Sequence, residues 1–137
     1  MSKAIENLQA AMKRAMAGRP PVGGFPYLAE TLRLAGVTRN IWHLPSCQSL
    51  YITGGGSIVT AGNPLVSGTV DVPAFNQEAL ITALQTDQAG NSTFEQFLDA
   101  SWKAGVVSYE VDFDARVVRY YGANSEEYME AYPPVKV

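Results

Sequence analysis

The feature that most restricts the fold is a pattern of predicted elements that occurs twice, with the second copy displaced by about half of the chain. Each half has two helices followed by three strands. Several residues match at one constant offset: Phe25 with Phe94, Leu28 with Phe97, Ala35-Gly36-Val37 with Ala104-Gly105-Val106, Leu44 with Phe113, and Tyr51 with Tyr120. Repeated supersecondary units leave such self-similarity, although two short connections can also match by chance. We therefore expect an α+β fold, an antiparallel sheet with helices, in which two pseudo-symmetric halves share one core.

A chain of 137 residues is long enough to bury a hydrophobic core without the help of disulfides or metal ions. Its composition, 47% hydrophobic and 17% charged, is typical of a globular domain. We expect one domain over residues 1–137, with the repeated halves at about 1–69 and 70–137.

Four segments are predicted to be helical, near residues 2–18, 25–36, 73–86 and 92–105. In the first segment, apolar residues recur every three or four positions, as on one face of an amphipathic helix. Gly36 and Gly105 are suited to end the second and fourth helices, because glycine adopts the left-handed conformation without strain. Ser92 followed by Glu95 predicts a capping box at the start of the fourth helix.

Strands are predicted near residues 37–44, 49–53, 57–61, 106–113, 116–121 and 127–132. The segment from Val106 to Phe113 alternates apolar and polar side chains, which is the period of a strand with one buried face. Five of the seven tyrosines lie near the C-terminus, between Tyr109 and Tyr132. We assign them to packing in the sheet rather than to stacking on nucleic-acid bases, because few cations accompany them.

The net charge of −3 gives no general attraction for phosphate backbones or anionic membranes, so no nucleic-acid partner is expected. Charged and amide side chains interrupt the N-terminal segment, which excludes the uncharged core of a signal peptide. The longest segment without charged residues, 40–70, contains glycines and prolines that a membrane-spanning helix would not tolerate in that number. We expect a cytoplasmic protein that does not enter a membrane.

The chain has one histidine, His43, and one cysteine, Cys47, four positions apart. These counts exclude an intrachain disulfide and every metal site that needs two imidazoles from one chain. The pair is a weak catalytic candidate, because a thiol and an imidazole can act as nucleophile and base. No spacing motif supports that role. We predict no catalytic residue, no metal site and no cofactor, and we interpret the two residues as parts of a strand end and a turn.

Two other motifs have part of the pattern that ligand binding needs. Gly54-Gly55-Gly56-Ser57 resembles a phosphate loop but lacks the lysine of a Walker motif and a helix after it, which favours a hairpin turn. Glu110, Asp112 and Asp114 alternate along a strand and could share a divalent cation, yet the spacing of a calcium loop is absent. A solvated strand face with an arginine opposite is the favoured interpretation of these carboxylates.

Residues 40–70 contain no Asp, Glu, Lys or Arg, although 17% of the chain is charged. The block is either a set of central strands with a polar loop, or a surface that is covered on assembly, since charged residues are depleted from the middle of interfaces. The candidate interface residues are Trp42, Leu50, Ile52, Ile58 and Val59. We expect a homo-oligomer, because self-association through such a surface is commoner than capture of another protein.

The stretch from Phe94 to Gly122 has a recognisable set of residues: Phe97, Ala104-Gly105-Val106, Tyr109, Val111-Asp112 and Tyr120-Tyr121. The first half has a similar set: Phe25, Leu28, Leu32 and Ala35-Gly36-Val37. With these residues the chain resembles the YbcV-like bacterial family, a domain of unknown function sometimes labelled phage envelope protein. The matching residues form helices, caps and strands, so the resemblance implies no catalytic residue. It implies an uncharacterised bacterial protein that is either associated with prophages or enterobacterial.

Two functions are compatible with these observations. The first is a non-enzymatic α+β domain that acts by self-association or by binding another protein. The second is a small enzyme or ligand-binding module, with a pocket between the sheet and the helices that uses His43 and Cys47 or the acidic strand residues. Convergence of these side chains in one concave pocket distinguishes the second function from the first.

Overall fold

A computed structural model describes residues 2–137. This part of the chain contains four helices, α1 Lys3–Gly18, α2 Gly24–Leu34, α3 Gln77–Gln88 and α4 Phe94–Lys103. It also contains six strands, β1 Val37–His43, β2 Gln48–Thr53, β3 Gly56–Ala61, β4 Val106–Asp112, β5 Val117–Gly122 and β6 Glu127–Ala131. Two helices followed by three strands therefore occur twice, and the predicted α+β fold is confirmed.

The strands form an antiparallel sheet in the order β3-β2-β1-β4-β5-β6, so β1 and β4 meet at its centre. Ile41 pairs with Glu110 in the middle of this central ladder, and the two residues occupy equivalent positions in the two halves of the sequence. The pairing of β1 with β2 has its counterpart in the pairing of β4 with β5, including a register irregularity just after Val37 and just after Val106. The sheet therefore has approximate two-fold symmetry about its centre.

The equivalence between the halves changes at the third strand. Tyr51 pairs with Ile58 in the first half, whereas Tyr120, the equivalent of Tyr51, pairs with Tyr128. Tyr128 comes one position later than the constant offset predicts for the equivalent of Ile58, because the loop before β6 is longer than the turn before β3. The extra residue keeps the large side chain of the third strand on the side of the helices.

Helix α4 begins one residue later than its sequence predicts. Its capping box is formed by Thr93 and Gln96, which exchange two hydrogen bonds at 3.1 and 2.9 Å. The predicted box of Ser92 and Glu95 was wrong, because the Ser92 hydroxyl donates to the Asp87 carboxylate instead, at 3.2 Å. Both candidate pairs have the right spacing, and the contact with the end of α3 selects between them.

Helix α3 also begins later than the predicted residue 73. The segment 62–76 has no regular secondary structure, and the Asn76 side chain accepts a hydrogen bond from the Ala79 N–H at 3.0 Å. This cap fixes the helix start at Gln77.

The helices cover one face of the sheet and leave the other face open. The strand residues that face the helices are largely buried, among them Tyr51, Tyr109, Val111, Val118 and Tyr120. The core continues into the helices and receives a buried leucine from each: Leu8, Leu32, Leu80 and Leu98. Buried and more exposed residues thus alternate along the strands, which is typical of an antiparallel sheet that is packed on one side. Within residues 2–137 no helix is long and apolar enough to cross a membrane.

Candidate functional site

A cavity of about 580 Å³ lies between the helix layer and the covered face of the sheet. Strands of both halves form its floor, and residues of all four helices and of the segment after β6 form its walls. Most of its lining surface is apolar. The cavity therefore has the size and the character of sites that bind small molecules.

Aromatic side chains form a row on the covered face of the sheet, and three of the four, Trp42, Tyr109 and Tyr120, line the cavity. Trp42, Tyr109, Tyr120 and Tyr128 occupy directly paired positions on β1, β4, β5 and β6. Their ring centroids are separated by 6.2, 5.6 and 6.4 Å along the row. Phe94, at the start of α4, packs edge-on against Trp42 at 5.1 Å. The row exists because the helix-facing positions of four neighbouring strands coincide in register.

Tyr109 and Tyr120 are largely buried, with only 6% of each residue exposed. Both residues line the cavity. Burial raises the pKa of both hydroxyls far above the usual range of tyrosine, so both stay protonated at neutral pH.

Charged residues also line the cavity: Arg19, Asp87, Glu95 and Glu130. Three carboxylates against one guanidinium make the lining acidic. Asp87 is near the end of α3 and is half-buried. Burial raises the pKa of the Asp87 carboxyl, while the hydrogen bond from Ser92 and the charge of Arg19 act in the opposite direction.

Glu130 connects the edge strand β6 to the end of α3. Its carboxylate accepts a hydrogen bond from the Gln88 side chain and a second one, at 3.5 Å, from the Tyr128 hydroxyl. These contacts hold the carboxylate at the rim of the cavity, beside the end of the aromatic row.

Two large apolar residues of the lining remain open to solvent. Met16 of α1 is 60% exposed and Phe94 of α4 is 41% exposed. Because they line the cavity and also reach the surface, they mark the place where the cavity opens. Exposed apolar groups at a concave opening are typical of ligand-binding sites.

The structure does not bring His43 and Cys47 to this cavity. His43 ends β1 on the open face and is exposed. Cys47 is buried in the turn between β1 and β2, and its Sγ donates to the Leu44 carbonyl at 3.6 Å. Burial raises the pKa of the Cys47 thiol, whereas a cysteine nucleophile needs a lowered one. The geometry gives no support to a catalytic pair.

The acidic strand residues lie outside the cavity as well. Glu110 forms an ion pair with Arg39 across β1 and β4. Asp112 accepts a hydrogen bond from the Ala115 N–H at 3.0 Å, and Asp114 is exposed in the turn. Among residues 2–137 no group of three or more His, Cys, Asp or Glu side chains is placed to hold a metal ion. The glycine-rich segment forms the hairpin turn between β2 and β3.

The interface candidates are divided between the two faces of the sheet. Ile58 belongs to the buried core, and Trp42 packs against that core and lines the cavity. Leu50, Ile52 and Val59 lie on the open face, where Val59 is 59% exposed. A surface made of all five residues does not exist, because alternate residues of a strand point to opposite sides.

An apolar line does cross part of the open face. Ile41 pairs with Leu50, and Leu50 pairs with Val59, so their side chains stand next to one another on β1, β2 and β3. The line continues into Glu110 and Arg119 on β4 and β5, which make the other half of the face charged. The uncharged sequence block therefore contributes both to the core and to one half of the open face.

Sequence reasoning gave a pocket between the sheet and the helices only as an alternative, assigned the wrong residues to it, and placed Trp42 in an interface. The available signal was the group of tyrosines between Tyr109 and Tyr132, several of which alternation along the strands assigns to a buried face. Alternation predicts which side a ring faces, but it does not predict whether helices fill the space above the ring. That space depends on how far the two layers stand apart.

Comparison with known proteins gives a family and close relatives. A family model described as "Protein of unknown function (DUF1398)" matches residues 9–131. An uncharacterised protein of Mycobacterium tuberculosis strain H37Rv is 51% identical over 136 residues, which cover 99% of this chain and 83% of the relative. An uncharacterised protein of Mycobacterium bovis matches to the same extent.

Proposed function

The chain belongs to the DUF1398 family of proteins of unknown function, and we propose that it acts by binding a small, largely apolar molecule in the cavity between its helices and its sheet. One observation carries the proposal: an apolar cavity of about 580 Å³ whose floor is lined by Trp42, Tyr109 and Tyr120. A core that served stability alone would be filled, because protein interiors are packed as densely as organic crystals.

Titration with N-phenyl-1-naphthylamine, an uncharged probe that fluoresces in apolar surroundings, tests this proposal. We expect saturable binding with one site for each chain. Leu28→Trp places a large ring in the cavity and should weaken binding about fivefold or more, since it removes the volume that the probe needs. Leu34→Trp is the matched control, because Leu34 lies on the same helix, is 64% exposed and does not line the cavity.

Circular dichroism of both variants verifies that they fold. Absence of saturable binding to the unaltered protein contradicts the proposal, and so does equal binding by a folded Leu28→Trp variant. Energy transfer from tryptophan to the bound probe gives a second measurement that needs no core substitution, because one of the two tryptophans, Trp42, lies in the floor of the cavity.

A second candidate function is self-association through the open face. Its support is the uncharged line of Ile41, Leu50 and Val59, with Ile52 beside it, on a face that no helix of residues 2–137 covers. Two copies related by a two-fold axis would place these side chains against one another without burying an unpaired charge. The proposed partner is therefore a second copy of this chain.

Light scattering coupled to size-exclusion chromatography measures this association. We expect a dimer at high micromolar concentration and a monomer for Val59→Asp, since the carboxylate would be buried in the contact. Val22→Asp is the matched control, because Val22 is 61% exposed, like Val59 at 59%, and lies in the loop before α2. A monomeric unaltered protein at that concentration rules out self-association.

Four further expectations complete the proposal. One domain over residues 1–137 is supported by the core shared between the halves and is tested by a single cooperative unfolding transition. A cytoplasmic location suits the buried free thiol of Cys47. Absence of nucleic-acid binding is supported by the net charge of −3. The prophage association rests on the resemblance to the YbcV-like family and is tested by whether phage genes flank the gene.

A further inference from the structure

We propose that the ligand of this cavity is an organic cation, with an apolar or aromatic body and one quaternary or protonated amine. This inference rests on the proposed function, because it assigns a chemical class to the molecule that fills the same cavity. The site would consist of the aromatic floor with the carboxylates of Asp87 and Glu130 at its rim.

The charges of the lining favour a cation over an anion. An anionic ligand would face Asp87, Glu95 and Glu130, with Arg19 as the one cation of the lining among the described residues. The Arg19 side chain lies across Gly24 at the start of α2, which keeps its guanidinium against the helix backbone. Attraction between opposite charges is stronger at a partly enclosed site than in bulk water, so the acidic lining selects for positive charge.

The aromatic floor favours the same ligand class. Trp42 and Tyr109 are stacked with an interplanar angle of 19°, and Tyr120 continues the row beside them. An ammonium group is attracted to the face of such rings, most strongly to tryptophan, when it lies within about 6 Å of the ring centroid. The apolar body of the ligand would occupy the space that the helices leave above the floor.

The hydroxyl groups of Tyr109 and Tyr120 add polar groups to the aromatic floor, since both residues line the cavity. A protonated tyrosine hydroxyl still has lone pairs, so it can accept a hydrogen bond from an ammonium N–H or turn its oxygen toward a quaternary ammonium. The Glu130 carboxylate, held by Gln88 and Tyr128, supplies a fixed negative charge at the end of the same row.

Calorimetric titration with two probes of the same shape tests the charge preference. Phenyltrimethylammonium carries a positive charge, and tert-butylbenzene is its uncharged counterpart with carbon in place of nitrogen. We expect the cation to bind about tenfold more tightly than the neutral probe, as desolvated cation–π and ionic contacts together predict. Equal or weaker binding of the cation overturns the inference.

Variants that remove one carboxylate test which residues cause the preference for the cationic probe. Glu130→Gln and Asp87→Asn should each weaken binding of the cation about threefold or more and leave the neutral probe unaffected, because only the charged probe senses the carboxylate. Glu127→Gln is the matched control, since Glu127 lies on the same strand but on the open face, next to Arg119. If Glu127→Gln weakens the cation as much as Glu130→Gln does, the site is not the cavity.

N-phenyl-1-naphthylamine separates a failure of this inference from a failure of the proposed function. If N-phenyl-1-naphthylamine binds but the protein does not prefer phenyltrimethylammonium to tert-butylbenzene, the cavity binds ligands but not organic cations in particular. In that case this inference alone is wrong. If none of the three probes binds, both are wrong. Binding of the neutral probe to each variant also verifies that the cavity has kept its shape.

Discussion

Gly36 and Gly105 occupy equivalent positions in the two halves, but only Gly105 is enclosed by other parts of the chain. Both follow a helix and have left-handed backbone conformations, with φ of 94° and 87°. A Cβ atom at Gly36 would meet nothing within 4 Å, whereas one at Gly105 would lie 2.6 Å from the backbone of Ala74 and Phe75. The irregular segment before α3 runs over Gly105, and its equivalent in the first half is part of α1.

This difference predicts unequal costs for the same substitution. Gly36→Ala should lower the free energy of unfolding by about 1 to 2 kcal/mol, because a side chain strains the left-handed conformation. Gly105→Ala carries that strain and also forces backbone atoms apart, which adds about 1 to 3 kcal/mol. Denaturant unfolding of the two variants measures the difference. Equal losses would show that the backbone over Gly105 moves aside without cost.

The ion pairs of the Glu30 carboxylate are expected to contribute to the free energy of unfolding. The Arg33 Nε donates to both Glu30 carboxylate oxygens at 3.1 Å, and the Arg116 Nη2 lies at 3.5 Å. The hydrogen bonds from Arg33 hold the pKa of the Glu30 carboxyl below its usual value, despite the opposing effect of burial. Glu30→Gln should therefore lower the free energy of unfolding by about 1 to 3 kcal/mol at neutral pH.

The pH dependence of that difference has a definite sign. Because the pKa of Glu30 is lower in the folded protein, its contribution is complete above the pKa of the unfolded chain and is lost as the pH falls through the folded pKa. The difference in free energy of unfolding between the unaltered protein and Glu30→Gln should thus decrease at acidic pH. Glu127→Gln is the control, because Glu127 is 47% exposed and its pair with Arg119 should contribute little. A difference in free energy of unfolding that does not change with pH contradicts this account.

Removing the hydroxyl of Tyr109 or Tyr120 is expected not to destabilise the unliganded protein. Tyr109→Phe or Tyr120→Phe should leave the free energy of unfolding unchanged within about 0.5 kcal/mol or raise it, because neither hydroxyl is fixed by a hydrogen bond to the described residues and neither oxygen is fully buried. Thermal unfolding of each variant measures this. A loss above about 1 kcal/mol would mean that the hydroxyl makes a stabilising contact in the folded protein.

The Cys47 thiol should be protected in the folded protein. Only 6% of the residue is exposed, and burial raises the pKa of the thiol, so little thiolate forms at neutral pH. Its reaction with Ellman's reagent should be about tenfold or more slower in the native protein than in denaturant. Cys47→Ser should retain the fold and the oligomeric state, and so should His43→Ala, whose side chain is exposed.

A native rate that equals the denatured rate contradicts the protection of Cys47, since the turn would then have to open readily. Loss of the folded state in His43→Ala would mean that this exposed side chain makes a contact that stabilises the sheet.

Local signals were sufficient to predict the order of the elements. Gly36 and Gly105 marked the helix ends correctly, and alternation in the segment after Gly105 predicted β4 within a residue. The start of α4 was misplaced by one residue because Ser92 and Thr93 both offer a capping hydroxyl. The Asp87 carboxylate that engages Ser92 belongs to another helix, and no local pattern reveals it.

The site was predicted far less well than the fold. The chemistry of His43 and Cys47 was visible in the sequence, but their exposure and burial were not. Trp42 illustrates the reason: its position on a strand was predicted, yet its role changed once the register placed it beside Tyr109 at the centre of the sheet.

The amino-acid sequence by itself determined that two similar series of helices and strands follow one another, because caps, glycines and side-chain alternation act over a few residues. The tertiary structure alone decided that β1 and β4 join the two series into one sheet, and which side of that sheet the helices cover. It also decided that the layers stand far enough apart to leave a cavity above the aromatic row. Such a space arises from the packing of whole elements, and its volume is not encoded in the neighbours of any one residue.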